Sequence, residues 1–187
     1  MAGTTVICRF DGEKFELLQS TKNQDADQFL LGLCKDKPVQ LYIDAPLSLP
    51  GVYRSLPGYS DYFYREADKT VRAMSPMFLG GLTARAMQLQ AKLQAFSPCI
   101  EVYPGALARA LKLPEAGYKK EINNIPSCQA SLLRQFHWPP EILAAALQLC
   151  CSNWHQFDAF LAWCIGWKHQ QQIASVAGKV EEGLIYY

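Results

Sequence analysis

The sequence predicts an α/β domain, a mixed sheet flanked by helices, and three observations carry that expectation. Two apolar runs, Val39-Gln40-Leu41-Tyr42-Ile43 and Cys99-Ile100-Glu101-Val102-Tyr103, have the length and the β-branched or aromatic content of strands, and prolines stop each one. A stretch of helical composition, Leu82 to Phe96, separates them, so a right-handed crossover between parallel neighbours is the natural connection. Ahead of both, Asp11-Gly12 is a two-residue hairpin signal between the strand-like segments Thr4 to Phe10 and Lys14 to Leu18.

The remaining elements follow in order. Asp25-Ala26-Asp27 supplies an acidic first turn to a short helix over Gln28 to Cys34, and Pro38 introduces the strand that ends at Asp44. That strand is followed by Ala45-Pro46-Leu47-Ser48-Leu49-Pro50, whose prolines forbid its continuation and leave the Asp44 carboxylate at its C-terminal end, where open α/β sheets hold their ligands. An Asp that merely caps the loop is the other reading of this segment. Residues from about 50 to 76 form a Pro/Tyr-rich loop or lid, with Tyr53, Tyr59, Tyr62, Phe63 and Tyr64 among Arg54, Arg65, Lys69 and Arg72. These aromatics either stack on bases or pack among themselves. After the Glu101 strand come a short helix over Ala106 to Leu113, a turn-rich stretch from Pro114 to Pro126 carrying Tyr118-Lys119-Lys120, a helix from Glu141, and a long helix from about Asn153. Leu161, Cys164 and Ile165 give that last helix its core face, and the tail Gly183 to Tyr187 reads as a final edge strand or a packed end.

At 187 residues, with 50% hydrophobic and 19% charged residues, the chain is expected to be a single domain spanning 1–187. No segment approaches the roughly 18 uninterrupted apolar residues of a membrane span, so no membrane association is expected. The N-terminus shows no secretory signal, which makes a cytoplasmic location the expectation. Cysteines at 8, 34, 99, 128, 150, 151 and 164 have neither CxxC nor zinc-finger spacing and read as small buried residues. The vicinal pair Cys150-Cys151 has a redox or soft-metal site as its other reading. A net charge of +1 favours no class of partner.

Three carboxylates recur where a sheet or helix can aim them at a common point: Asp44, Glu101 and Asp158, the last on the C-terminal helix. Glu101 lies inside its strand, so it faces either solvent or a cleft shared with Asp44. Converging carboxylates repel unless a divalent cation neutralises them, and Mg²⁺ or Mn²⁺ prefers oxygen ligands. Two such ions about 4 Å apart activate water and stabilise the leaving oxygen in phosphodiester hydrolysis. A lysine pair such as Lys119-Lys120 is ordinarily solvated, but near carboxylates it can hold phosphate.

The segments Tyr42-Ile43-Asp44-Ala45-Pro46-Leu47-Ser48-Leu49-Pro50, Arg65 with Asp68, Ile100-Glu101-Val102-Tyr103-Pro104, Tyr118-Lys119 and His155-Gln156-Phe157-Asp158-Ala159 resemble, in order, the motif series of the predicted nucleases grouped as domain-of-unknown-function family 429. The resemblance implies a ribonuclease H-like fold, related in plan to Holliday junction resolvases, and metal-dependent cleavage of nucleic acid. It makes Asp44, Glu101 and Asp158 catalytic metal ligands. Arg65, Tyr118 and Lys119 become substrate contacts, and His155 takes an outer-sphere or proton-transfer role beside its plain reading as a helix-start residue. Proteins of this family begin with a strand carrying Gly-Ile-Asp, followed by a loop resembling the start of this chain. The expectations that follow are a missing first central strand with its metal-ligand Asp, Met1 as an internal methionine of a longer protein, and a homodimer that fills the gap in the sheet. A non-catalytic nucleic-acid-binding or interaction module is therefore the alternative to the nuclease. A small-molecule phosphohydrolase ranks third, since no Gly-rich phosphate loop follows a strand.

Overall fold

The computed structural model describes residues 5–35, 39–94 and 97–187. Met1, Thr4, Pro38 and Phe96, each used in reading the sequence, lie outside the described residues. The chain opens with β1 (Val6–Phe10) and β2 (Phe15–Gln19), an antiparallel hairpin turned at Asp11-Gly12, where Asp11 Oδ1 accepts from the amides of Glu13 and Lys14. Helix α1 (Ala26–Lys35) follows, with Asp25 Oδ1 accepting from the Asp27 and Gln28 amides at its start. Then come β3 (Leu41–Ile43), α2 (Glu66–Val71), α3 (Pro76–Leu79), α4 (Gly81–Leu93) and β4 (Cys99–Glu101). The C-terminal half comprises α5 (Pro104–Ala110), α6 (Ile125–Leu133), α7 (Pro140–Gln148), α8 (Trp154–Gln170), β5 (Val176–Lys179) and β6 (Gly183–Tyr186).

The class is α/β, as the sequence implies, and β3 pairs with β4 in parallel, with Ile43 opposite Glu101. The sheet departs from expectation. Among the described residues the strands form three separate pairs, β1-β2, β3-β4 and β5-β6, with a parallel bridge from Val102 to Tyr186 tying the last two together. The region expected as a loop or lid contains a 3₁₀ turn at Gly51–Arg54 and helix α2, and the stretch from Pro114 ends in α6.

Helix α8 is the centre of the main core. Phe157, Phe160, Leu161, Cys164 and Ile165 are fully buried, and Phe15 and Phe10 of the hairpin pack their rings on Trp163. Asn153 caps the helix by accepting from the Gln156 amide. Gly166 lets β3 lie close against this helix: a Cβ there would stand 2.5 Å from the Tyr42 ring. That ring is held by hydrogen bonds of its hydroxyl to Gln40 and His169, both 3.1 Å. Gly166→Ala therefore destabilises the protein by about 1–3 kcal/mol in urea unfolding, despite the better helix propensity of alanine.

Candidate functional site

Strand pairing decides which carboxylates meet. Directly paired residues of a parallel ladder project to the same face, and successive residues alternate. Glu101, opposite Ile43, therefore projects to one face, while Tyr42 and Asp44 project to the other, against α8. Tyr42 reaches Gly166 and His169 near the end of that helix, so β3 runs against it, and Asp44 arrives beside Asp158 near its start.

Asp44 and Asp158 line one cleft of about 540 Å³, together with His155 and residues of β1, β3, α1 and α4. The Asp44 carboxylate has no hydrogen-bond partner among the described residues. Asp44 is itself exposed in the cleft, although protein surrounds it closely. Desolvation there, then the neighbouring Asp158 charge and, weakly, Glu101, push its pKa up to about 7 against the pull of Lys119. Asp158 is held firmly: it accepts from the Tyr118 hydroxyl at 2.6 Å, and Lys119 Nζ lies 2.9 Å from its other oxygen. Burial, and then the Asp158 charge, raise the Tyr118 hydroxyl well above its ordinary range, so it keeps its proton and stays a donor. Lys119 adopts a left-handed backbone, φ 58°, two residues after the buried Gly117, and this tight turn brings Tyr118 and Lys119 onto α8. His155 is exposed on the first turn of α8 at the cleft.

Glu101 and Arg65 lie elsewhere. Arg65 is wholly buried, and its guanidinium donates to Asp68, to both oxygens of Glu101 and to Ser48, with the shortest contacts 2.6 Å to each carboxylate. Glu101 also accepts from the Leu47 amide at 2.8 Å. Burial raises the Glu101 carboxyl, and Arg65 pulls it back only in part. The arginine expected to meet substrate phosphate is thus sealed inside the protein, where it locks α2 and the loop after β3 onto β4. Its Asp68 partner, three residues on, closes the start of α2 by accepting from the Arg65 amide at 2.9 Å. Glu182 is a second buried tie that the sequence does not advertise: it accepts from the amides of Gly51 and Glu66, both at 2.8 Å.

No family model, curated protein or solved structure matches the chain. Function must therefore rest on the site. Among the described residues no three His, Cys, Asp or Glu side chains stand close enough together to hold a metal ion. The Asp44–Asp158 pair is still a donor set that a single Mg²⁺ can use, because that ion is commonly held by one or two carboxylates and completed by water and substrate phosphate. The expected pair of ions finds too few carboxylates here, since Glu101 is committed to Arg65 on the opposite face of the strands.

The rings expected to stack on bases are partly displayed. Tyr53, Tyr62 and Phe63 are about half exposed; Tyr53 pairs with Tyr62 at 5.8 Å, and Phe63 pairs at 5.6 Å with Phe78 of α3, a ring outside that set.

Asp44 also sets a pH dependence. Its pKa in the folded chain is about 7, above the ordinary 3.8, so the folded state holds this proton more tightly than the unfolded state. The stability contributed is complete below about pH 4 and is lost as pH rises through 7. Asp44→Asn, neutral throughout, melts at a higher temperature than the natural chain above pH 7 and with little difference near pH 4, measured by thermal unfolding across that range.

Proposed function

We propose that the chain is a nuclease core built on the ribonuclease H-like plan, and that Asp44 with Asp158 forms its cation site for phosphodiester hydrolysis in nucleic acid. One observation carries this reading: two carboxylates from separate elements, one without a hydrogen-bond partner among the described residues, converge at the C-terminal end of a parallel strand inside a cleft. A bound Mg²⁺ or Mn²⁺ supplies Lewis-acid polarisation of the phosphodiester and a water activated for attack.

The chain's own residues prepare that chemistry. Tyr118 fixes the Asp158 carboxylate through a 2.6 Å hydrogen bond. Lys119 is half exposed and bound only through its tip, so it can exchange Asp158 for a phosphate oxygen of the substrate. His155, at the cleft and open to solvent, is positioned to carry a proton to or from bulk water. Arg65 and Glu101 act only by holding the strand ends and α2 in place.

The experiment is cleavage of labelled branched and RNA–DNA hybrid substrates over a Mn²⁺ titration, with Asp44→Asn as the control. Metal-dependent nicking that disappears in the variant supports the reading. A specific observation favours a second reading, a non-catalytic nucleic-acid-binding or interaction module: Glu101 is committed to Arg65, leaving two carboxylates at the site. Nucleic-acid binding without cleavage at every Mn²⁺ concentration selects that module.

A further inference from the structure

Every exposed aromatic ring among the described residues lies in one stretch of the chain: Tyr53, Tyr62, Phe63 and Phe78. Single exposed rings are ordinary on a protein surface, whereas a group of them marks a place where something binds. The same stretch turns another ring inward. Tyr59 packs over Gly51, where a Cβ would stand 2.5 Å from the ring, and its hydroxyl donates to Glu181 at 3.0 Å. The outward rings are linked, because Tyr62 and Phe63 are consecutive and each belongs to one ring pair, the first with Tyr53 and the second with Phe78. Phe63 and Phe78 stay 53% and 64% exposed despite their pairing.

The backbone that carries these rings is fixed. Asp61 accepts from the Phe63 amide at 2.7 Å and from the Tyr64 amide at 2.9 Å. Ser75, wholly buried, donates its hydroxyl to the Phe63 carbonyl and accepts from the Met77 and Phe78 amides at 3.0 and 3.4 Å, so one side chain sets both rings of the second pair. Rings held in place beforehand lose little freedom on binding. Tyr53 and Tyr62 stand edge to face at 88°, which leaves the ring that offers its edge with both π-faces uncovered by its partner. Charge completes the surface. Asp61 pairs with Lys69, Glu66 with Lys179 and Asp68 with Arg65, so the carboxylates between residues 53 and 78 are matched within the protein. Arg54 and Arg72 are exposed and have no ion pair among the described residues.

We propose that this surface is a platform for single-stranded nucleic acid: bases stack on Tyr53, Tyr62, Phe63 and Phe78, and Arg54 and Arg72 meet the phosphates. Flat rings beside unmatched positive charge fit a ligand that is itself flat, apolar and anionic by turns, and single strands are held in this way with little regard to sequence. A duplex fits poorly, because neighbouring pairs already cover its base faces. An apolar protein surface meets the rings but leaves both guanidinium groups unmatched. The platform needs no cation, so it stands whether or not Asp44 and Asp158 support cleavage. Tyr53 lies in the 3₁₀ turn that follows the Asp44 loop, and, resting on the nuclease reading, this placement makes the substrate a nucleic acid with an unpaired segment.

The test is fluorescence anisotropy of a labelled thymidine oligonucleotide of about 12 residues, titrated with the full chain in EDTA and compared with a duplex of the same length. The single strand is expected to bind at least about tenfold more tightly than the duplex. Phe63→Leu and Phe78→Leu keep the apolar bulk and lose the flat ring, so each weakens binding at least about fivefold at an unchanged melting temperature, and Phe63→Tyr retains it. Arg54→Gln lowers the slope of log affinity against log salt by about 0.7. Equal binding of the duplex overturns the proposal, as do leucine variants that bind like the natural chain. Absence of binding at low salt overturns it too, and self-association in sedimentation that Phe63→Leu abolishes then gives the rings to a second copy. Because EDTA removes the cation, strand binding without cleavage at any Mn²⁺ concentration leaves the platform standing, while cleavage without strand binding removes the platform alone.

Discussion

Arg65→Met lowers unfolding free energy by about 3–5 kcal/mol, because it strips the counter-charge from two carboxylates that remain inside the protein. Asp68 and Glu101 are 1% and 7% exposed, and together they receive most of the guanidinium's hydrogen bonds. Since whole domains are stable by only about 5–15 kcal/mol, the variant should be marginal at room temperature. Arg65→Lys loses much of the same stability, as a point charge cannot serve two carboxylates through paired, planar hydrogen bonds. Adding Glu101→Gln to Arg65→Met restores part of it, because the amide needs no counter-ion. Urea denaturation of the single and double variants reads the coupling directly. Additive losses would show that Arg65 and Glu101 do not stabilise one another.

The buried pair explains why so much of the molecule was legible in its sequence and why the site was legible only in part. The hairpin at Asp11-Gly12, the parallel pairing of β3 with β4 and the Asn153 start of α8 all follow from local signals: a turn dipeptide, prolines after strands and a capping side chain. Asp44 and Asp158 meet as their positions imply. Glu101 separates from them because strand parity depends on the pairing register, and Ile43 opposite Glu101 puts that carboxylate on the other face. No periodicity in the sequence encodes that register.

Arg65 was legible as a functional residue but not as a buried one. Its role depends on Glu101, Ser48 and the Leu47 amide, brought to it from distant positions by the fold. Helix α2 was hidden for the same reason: six residues, Glu66–Val71, carry no amphipathic period, and tertiary ties through Asp68 and Glu182 hold them. Strand β5 is four residues long and contains Gly178 at φ 98°, which weakens any strand signal.

The second large effect is expected at the acidic pair. Asp44→Asn removes the carboxylate that no described residue hydrogen-bonds and leaves Asp158 with Tyr118 and Lys119, so the proposed metal-dependent cleavage is expected to fall by at least about 100-fold, the loss of several kcal/mol of charge stabilisation. Fold stability near pH 7 does not fall, because the substitution removes a charge that the surrounding protein and the neighbouring Asp158 disfavour. On the proposed function, activity of the natural chain is expected to rise with pH through about 7, because the cation competes with the proton on Asp44. The variant lacks this dependence.

The central claim is that Asp44 and Asp158 together hold the cation that cleaves nucleic acid. It is tested most directly by cleavage of a labelled branched or hybrid substrate at increasing Mn²⁺, with the natural chain and Asp44→Asn compared at pH 6 and pH 8. The account predicts Mn²⁺-dependent nicking by the natural chain, stronger at pH 8, and its loss in the variant at both. Equal nicking by the two proteins, or none by the natural chain at any Mn²⁺ concentration, would contradict it.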